Sequence, residues 1–223
     1  MQERPANNFG IAFILATIIA IGTGILILVL GKNGSFQLIN SNHNETADQF
    51  FKYFTHYGDG LMWTPLGIYC FFYRRKYFIA VVAAVLISTI LAQFLKRVVY
   101  PDELRPFGYL SETFPVHMID GVIMRKAHSF PSGHATTAFT MALVVAYMIN
   151  KKSWSVVLPL FAFLAGYSRV YLGQHFPTDI FAGMCIGIIS AILSLIIYRT
   201  FNRSVNNEVD TKPKMPSSAQ ANL

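Results

Sequence analysis

A chain of 223 residues with 53% hydrophobic and 13% charged side chains, and a mean hydropathy of +0.43, is too apolar to be disordered. Soluble domains carry about 25% charged residues, so an ordinary water-soluble fold is excluded as well. The formal charge of +7 points to nucleic acid only if it forms a patch, and Cys70 and Cys185 lie in apolar runs that offer neither a disulfide framework nor a thiolate metal site.

About 20 consecutive apolar residues cross a bilayer. Residues 11–30 form the first such run, free of charge and without a small-residue cleavage site, so they read as an uncleaved span. Residues 31–59 then make an outer loop. Within it, residues 45–57 carry Phe50, Phe51, Tyr53, Phe54 and Tyr57, the pattern of a helix lying in the headgroup layer or packed over the bundle. Further spans are predicted at 61–73, 77–95, 134–149, 153–168 and 179–198, which makes six, with 61–73 the shortest. In the last of them, Gly183-x-x-x-Gly187 suits close helix packing. Residues 204–223 are polar, contain two prolines and are predicted to be a disordered cytoplasmic tail. The expectation is an all-α, polytopic membrane bundle of about six helices plus an interfacial helix, with a single domain over residues 1–203.

Orientation follows from loop charge. Segments on the side of the N-terminus hold ten Lys and Arg residues against three acids, while the opposite segments hold equal numbers of both. The excess charge therefore orients a membrane protein, and the partner it implies is a bilayer rather than nucleic acid. Both termini are predicted to be cytoplasmic.

Three polar clusters then fall at one depth. Residues 77–95 climb roughly 28 Å at about 1.5 Å per residue, which brings Lys96-Arg97, followed by Arg105-Pro106, to the outer edge of the hydrocarbon. The fourth span begins on that side at His128-Ser129-Phe130-Pro131-Ser132-Gly133-His134. The fifth ends there at Ser168-Arg169, and the sixth begins there with His175 and Asp179. Two helix N-termini would aim free N–H groups at the shared site, a setting that binds phosphate. Arginine adds forked, permanently charged donors and lysine a point charge. His175 and Asp179, four residues apart, fall on one face of a helix, where the carboxylate can hold one ring nitrogen and leave the other free. Pro177 between them requires a first helical turn. His134 can donate a proton to a departing oxygen.

This set suits cleavage of a phosphate ester. It contains no His-Glu-x-x-His and no Cys pair, so no metal and no cofactor is implied. A proton-coupled transporter is the alternative, since intramembrane His–Asp pairs also serve proton relays, although carriers place their sites near midplane.

Pro131-Ser132-Gly133-His134 and Ser168-Arg169-x5-His175-x3-Asp179, preceded by Lys96 and Arg105-Pro106, resemble the type 2 phosphatidic acid phosphatase family, which shares its site with vanadium haloperoxidases. The resemblance spans about residues 50–198. It implies His175 as the nucleophile that forms a phosphohistidine, Asp179 as its orienting partner and His134 as the general acid. It further implies Lys96, Arg105, Ser132, Gly133 and Arg169 as phosphate ligands, with no metal in hydrolysis. The family's first motif has six residues between Lys and Arg-Pro, whereas Lys96 and Arg105 have eight. Two residues looped out near Tyr100–Glu103 keep Lys96 in place, and Arg97 is the competing candidate. Arg97, Lys126 and His128 are possible contacts to the substrate headgroup. The resulting expectation is a lipid phosphate or diphosphate phosphatase in a bacterial cytoplasmic membrane, its site facing outward. A haloperoxidase is disfavoured by the six spans.

Overall fold

The computed structural model describes residues 8–110 and 112–211, with side chains to residue 204. Every element is helical, as the composition predicts. Helix α1 (Phe9–Asn40) is followed by α2 (Glu45–Phe54), α3 (Trp63–Tyr73) and α4 (Arg75–Phe94), and α4 ends in a π-helical turn, Leu95–Val99. A one-turn helix α5 (Pro106–Leu110) precedes the long α6 (Gly133–Ile149), α7 (Lys152–Tyr171) and α8 (Pro177–Thr211). Among the described residues, α1, α4 with its π turn, α7 and α8 are long and apolar enough to cross a membrane, and α6 is a shorter apolar helix of 17 residues.

The predicted spans all coincide with helices, but three boundaries differ. The second predicted span is an 11-residue helix, rising only about 16 Å, too short to cross on its own. Helix α1 does not stop at residue 30. Gly31 leaves helical geometry (φ 70°, ψ 176°) and the helix resumes to Asn40, so the outer loop begins ten residues later than predicted. At the other end α8 runs to Thr211. Residues 204–211 of the predicted tail are thus helical, and 212–223 lie outside the described residues.

Small residues set the packing. Ala12, Ala16 and Ala20 form the buried stripe of α1, while Ile14, Ile18, Ile21, Ile25 and Leu28 face outward, as expected where lipid tails are as apolar as the side chains. Helix α6 is the most enclosed, packed by α1, α4, α7 and α8. Its approach to α8 depends on the two predicted glycines. A Cβ on Gly183 would stand 2.6 Å from the Ser132 carbonyl oxygen, and one on Gly187 would meet Phe139 Cβ at 2.8 Å.

At one end of the bundle Asn8 clasps Asn150: the Asn8 amide N–H donates to Asn150 Oδ1 and its Nδ2 to the Asn150 carbonyl, both at 2.9 Å. Tyr77, Tyr147 and Tyr198 cluster there too. The opposite end carries the C-termini of α1, α4 and α7 and the N-termini of α6 and α8.

Helix α2 lies at this second end. Its Asn44 N-cap accepts from the Ala47 N–H at 2.9 Å, and Glu45 and Asp48 in the first turn suit the helix dipole. Phe51 packs on Tyr167 and Tyr171 of α7 while Phe50 and Tyr53 remain exposed. Both predicted roles, packing and interfacial exposure, are thus filled by opposite faces of one helix. Asp48 accepts from the Tyr171 hydroxyl and pairs with His117, which stacks on His43.

Replacing Gly183 by Ala should lower the thermal midpoint of the detergent-solubilised protein, at a cost of about 1–3 kcal/mol for forcing the two helices apart. Thermal unfolding followed by tryptophan fluorescence measures the shift.

Candidate active site

Helix α7 ends where Gly173 takes a positive φ of 66°. This reversal lets the Gln174 and His175 N–H groups bond back to the Arg169 carbonyl at 2.8 and 3.2 Å, which places all three side chains together. Helix α8 then starts at Pro177, so its ring occupies the first turn as required. His175 itself precedes the helix. Its proximity to Asp179 comes from a loop meeting a first turn, not from a shared helix face as the spacing suggested.

Asp179 Oδ2 is 3.2 Å from His175 Nδ1 and 3.0 Å from the Phe176 N–H, and it accepts from the Ser129 hydroxyl. His175 and Asp179 are both buried. An ionised carboxylate only accepts, so Nδ1 carries the hydrogen and Nε2 keeps a free lone pair. Burial foremost, then Arg105, Lys96 and Arg169, holds the His175 imidazole well below its ordinary range. The side chain is neutral at physiological pH.

The neutral His175 lines a cavity of about 990 Å³. Lys52, Lys96, Arg97, Arg105, Arg125 and Arg169 also line it, and Asp59 is the only acid that does so among the described residues. Arg105 is nearly buried. Its Nε donates to the Ala127 carbonyl at 3.1 Å, and its Nη1 donates to the Gln174 carbonyl at 3.0 Å and to Gln174 Oε1 at 3.3 Å. Burial, then the nearby Arg125, lowers its pKa to about 10, which leaves it cationic. Arg169 donates from Nη1 to Thr55 Oγ1 at 2.9 Å and from Nη2 to Gln174 Oε1 at 3.5 Å, while its buried Nε has no hydrogen-bond partner.

Lys96 stands in the π turn, closed by the bond from the Tyr100 N–H to the Leu95 carbonyl. Its Nζ donates to the His128 carbonyl at 3.1 Å, whereas Arg97 folds back onto Gln93 Oε1 at 3.0 Å. The wide turn and the bend at residues 100–102 lie between Lys96 and Arg105, where this sequence has two residues more than the family pattern it resembles.

His134 and Gly133 line the cavity at the start of α6. Ser132 departs from its expected place. It is fully buried, is absent from the cavity wall, and its Oγ caps α6 by accepting from the Ala135 N–H at 3.4 Å. Lys126 departs as well. Its ammonium lies over the Phe107 ring, 5.6 Å from the centroid, while its neighbour Arg125 takes the place on the wall. Arg125 and Lys126 are consecutive, and only the first of them lines the cavity. His128, with φ 56°, remains on the wall. The sequence reading missed Thr55, Asp59, Arg125, Ser129 and Gln174. Of these, only Gln174 and Ser129, adjoining the two histidine motifs, carried any local signal.

Lys32 follows the Gly31 break and turns inward. Its Nζ is 3.3 Å from Glu103 Oε2 and 4.6 Å from the centroid of Phe176. Among the described residues, no group of three His, Cys, Asp or Glu side chains is arranged to hold a metal ion.

Gln174 joins Arg105 to Arg169, and hydrogen bonds to charged groups contribute about 1.5–3 kcal/mol each. Gln174→Leu should therefore lower kcat/KM for phosphate release by about tenfold or more. The pH profile has a stated sign. Because His175 stays neutral as pH falls through 6.5, the acid limb of kcat/KM should lie below that value.

The pattern that defines the PAP2 superfamily matches residues 66–203. An undecaprenyl-diphosphatase of Sulfolobus acidocaldarius is 31% identical over 168 residues, covering 74% of this chain and 77% of that protein. Phosphatidylglycerophosphatase B of Bacillus subtilis is 31% identical over 60% of this chain and 67% of its own. Among solved structures, Aquifex aeolicus LpxE superposes with a TM-score of 0.64 at 36% identity, covering 72% of this chain and 92% of its own. The transmembrane PAP2-type phosphatidylglycerolphosphate phosphatase of Bacillus subtilis shares the fold over 90% of this chain and 96% of its own, with a TM-score of 0.56 at 21% identity. The chain belongs to the PAP2 superfamily, in its branch of membrane lipid phosphatases.

Proposed function

We propose that the chain hydrolyses a lipid phosphate or diphosphate at the outer face of the cytoplasmic membrane, through a phosphohistidine and without a metal. The observation that carries this reading is His175. It is fixed by Asp179, kept neutral, and set in the wall of a cavity whose cations have no carboxylate partner except near Asp59. The unpartnered Nε of Arg169 is a donor suited to an anion's oxygen.

In the reaction so drawn, Lys96, Arg105, Arg169 and the backbone at Gly133 hold the phosphoryl oxygens and offset their charge. The His175 Nε2 lone pair forms the P–N bond as the P–O bond to the lipid breaks, and His134 protonates the departing oxygen. Asp179 stabilises the positive charge that develops on the ring. Water then attacks the phosphohistidine while His134 takes back a proton, which frees inorganic phosphate and restores both histidines.

Orientation supports the outer face. The site lies at the end away from Arg74, Arg75, Lys76, Lys151 and Lys152, where the excess positive charge collects. Leu61 and Phe94, both exposed, lie two residues after Asp59 and one after Gln93, both on the wall. They offer an apolar flank along which an acyl or prenyl tail can lie in the bilayer. The relatives' names supply the lipids to assay: undecaprenyl diphosphate, phosphatidylglycerol phosphate and a lipid A phosphate, with phosphatidate as a fourth.

His175→Ala should reduce phosphate release by about 10³-fold or more while the protein still inserts into membranes. Acid quenching of the parent enzyme with ³²P-labelled substrate should trap an acid-labile phosphoprotein that the variant lacks. Vanadate, a mimic of the five-coordinate phosphoryl group, should inhibit, and a chelator should not. Loss of activity with chelator, restored by added metal, would overturn the metal-free step.

A further inference from the structure

An anion-binding wall is a costly place for a carboxylate, because it repels the ligand that the surrounding cations attract. Asp59 nevertheless lines the cavity as its only acid among the described residues. It precedes the residues that the superfamily pattern matches, 66–203, so no motif accounts for it. Its position is held on several sides. The Asp59 N–H bonds to the His56 carbonyl at 3.0 Å, the Asp59 carbonyl accepts from the Met62 N–H at 3.0 Å, and Oδ2 accepts from His56 Nδ1 at 3.0 Å. Gly58 lets this turn press on α6: a Cβ there would stand 3.0 Å from both Cβ and the carbonyl oxygen of His134. The result is that Asp59 Oδ1 lies 3.7 Å from His134 Nε2.

That distance is informative. At 3.7 Å the carboxylate is too far to take the Nε2 hydrogen as a hydrogen bond, so the proton stays available to a substrate oxygen. The negative charge is still near enough to favour the imidazolium form. Burial foremost, then Arg169 from α7, His175 from the α7–α8 loop and Arg105 from the segment before α5, oppose that form. Without a nearby carboxylate, the field of the arginines would weaken the hold of such a general acid on its proton.

We propose that Asp59, itself oriented by His56, is a positioning residue whose charge favours retention of the His134 proton destined for the departing lipid oxygen. The inference rests on the assignment of His134 as the general acid. The proton balance is that of the reaction above: His134 gives its proton to the alkoxide in the first step and recovers one from water in the second.

The test compares two leaving groups, with kcat/KM measured in one detergent. A long-chain alkyl phosphate needs its departing oxygen protonated, whereas the nitrophenolate of p-nitrophenyl phosphate leaves without help. Asp59→Asn should lower kcat/KM for the alkyl phosphate at least about tenfold more than for p-nitrophenyl phosphate. It should also move the basic limb of the alkyl phosphate profile down by about one pH unit or more, and Asp59→Glu should keep that limb near its original place. The ratio between substrates does not depend on how much of a variant folds. Equal losses on both substrates with an unmoved basic limb overturn the proposal. His134→Asn separates the two levels. If it shows no leaving-group asymmetry, the general-acid assignment itself falls; if it shows the asymmetry and Asp59→Asn does not, only the role of Asp59 is lost.

Discussion

One carboxylate oxygen, Oδ2 of Asp179, holds the site together. A charge taken out of water is tolerated only when it is paired and hydrogen-bonded, and this oxygen receives the His175 ring, the Ser129 hydroxyl and the Phe176 N–H. The donors come from the loop after α7 and from the segment entering α6, while the carboxylate itself stands in the first turn of α8. Satisfying the buried charge therefore fixes the mutual position of all three. The Ser132 N–H completes the junction by donating to the Asp179 carbonyl at 3.0 Å. Gly183 and Gly187 permit it by letting α8 touch the backbone of α6. Helix packing and the orientation of His175 thus share one cause.

The cations around the cavity are held by a different rule. Arg105 rests on carbonyls and the Gln174 amide, Lys96 on the His128 carbonyl, and Arg169 on the Thr55 hydroxyl and Gln174. Neutral acceptors orient a guanidinium or ammonium group without cancelling its charge. The field at the centre of the cavity stays positive and already organised, so little reorganisation is needed when phosphate charge arrives. A carboxylate in the place of Gln174 would hold both arginines more tightly and leave them less for a ligand.

What was legible in the sequence and what was not divide along physical lines. Span length, loop charge and the depth of helix ends are properties of a chain in a bilayer, and they were enough to gather Lys96, Arg105, His134, Arg169, His175 and Asp179 at one end. The structure brings these six together. Side-chain direction outside helices was not legible. Arg125 and Lys126 differ by one position, and the loop backbone alone decides which faces the cavity. Ser132 was known to adjoin the site, but its hydroxyl is engaged by the helix it begins. Thr55 and Asp59 carry no periodicity or spacing that marks them, because their roles arise from neighbours distant in the chain. The continuation of α1 beyond Gly31 was hidden by the same glycine, which reads as a terminator and acts as a bend.

That bend changes what α1 is for. Lys32 follows the bend directly. With Gly31 out of helical geometry, the ammonium reaches Glu103 and the outer side of the Phe176 ring, just behind the imidazole–carboxylate pair. The first helix, which lies outside residues 66–203 and presents most of its length to lipid, supplies the rear buttress of the reaction centre. The sequence motifs make up only the front of the machine; its backing is contributed by a segment that hydropathy alone would dismiss as an anchor.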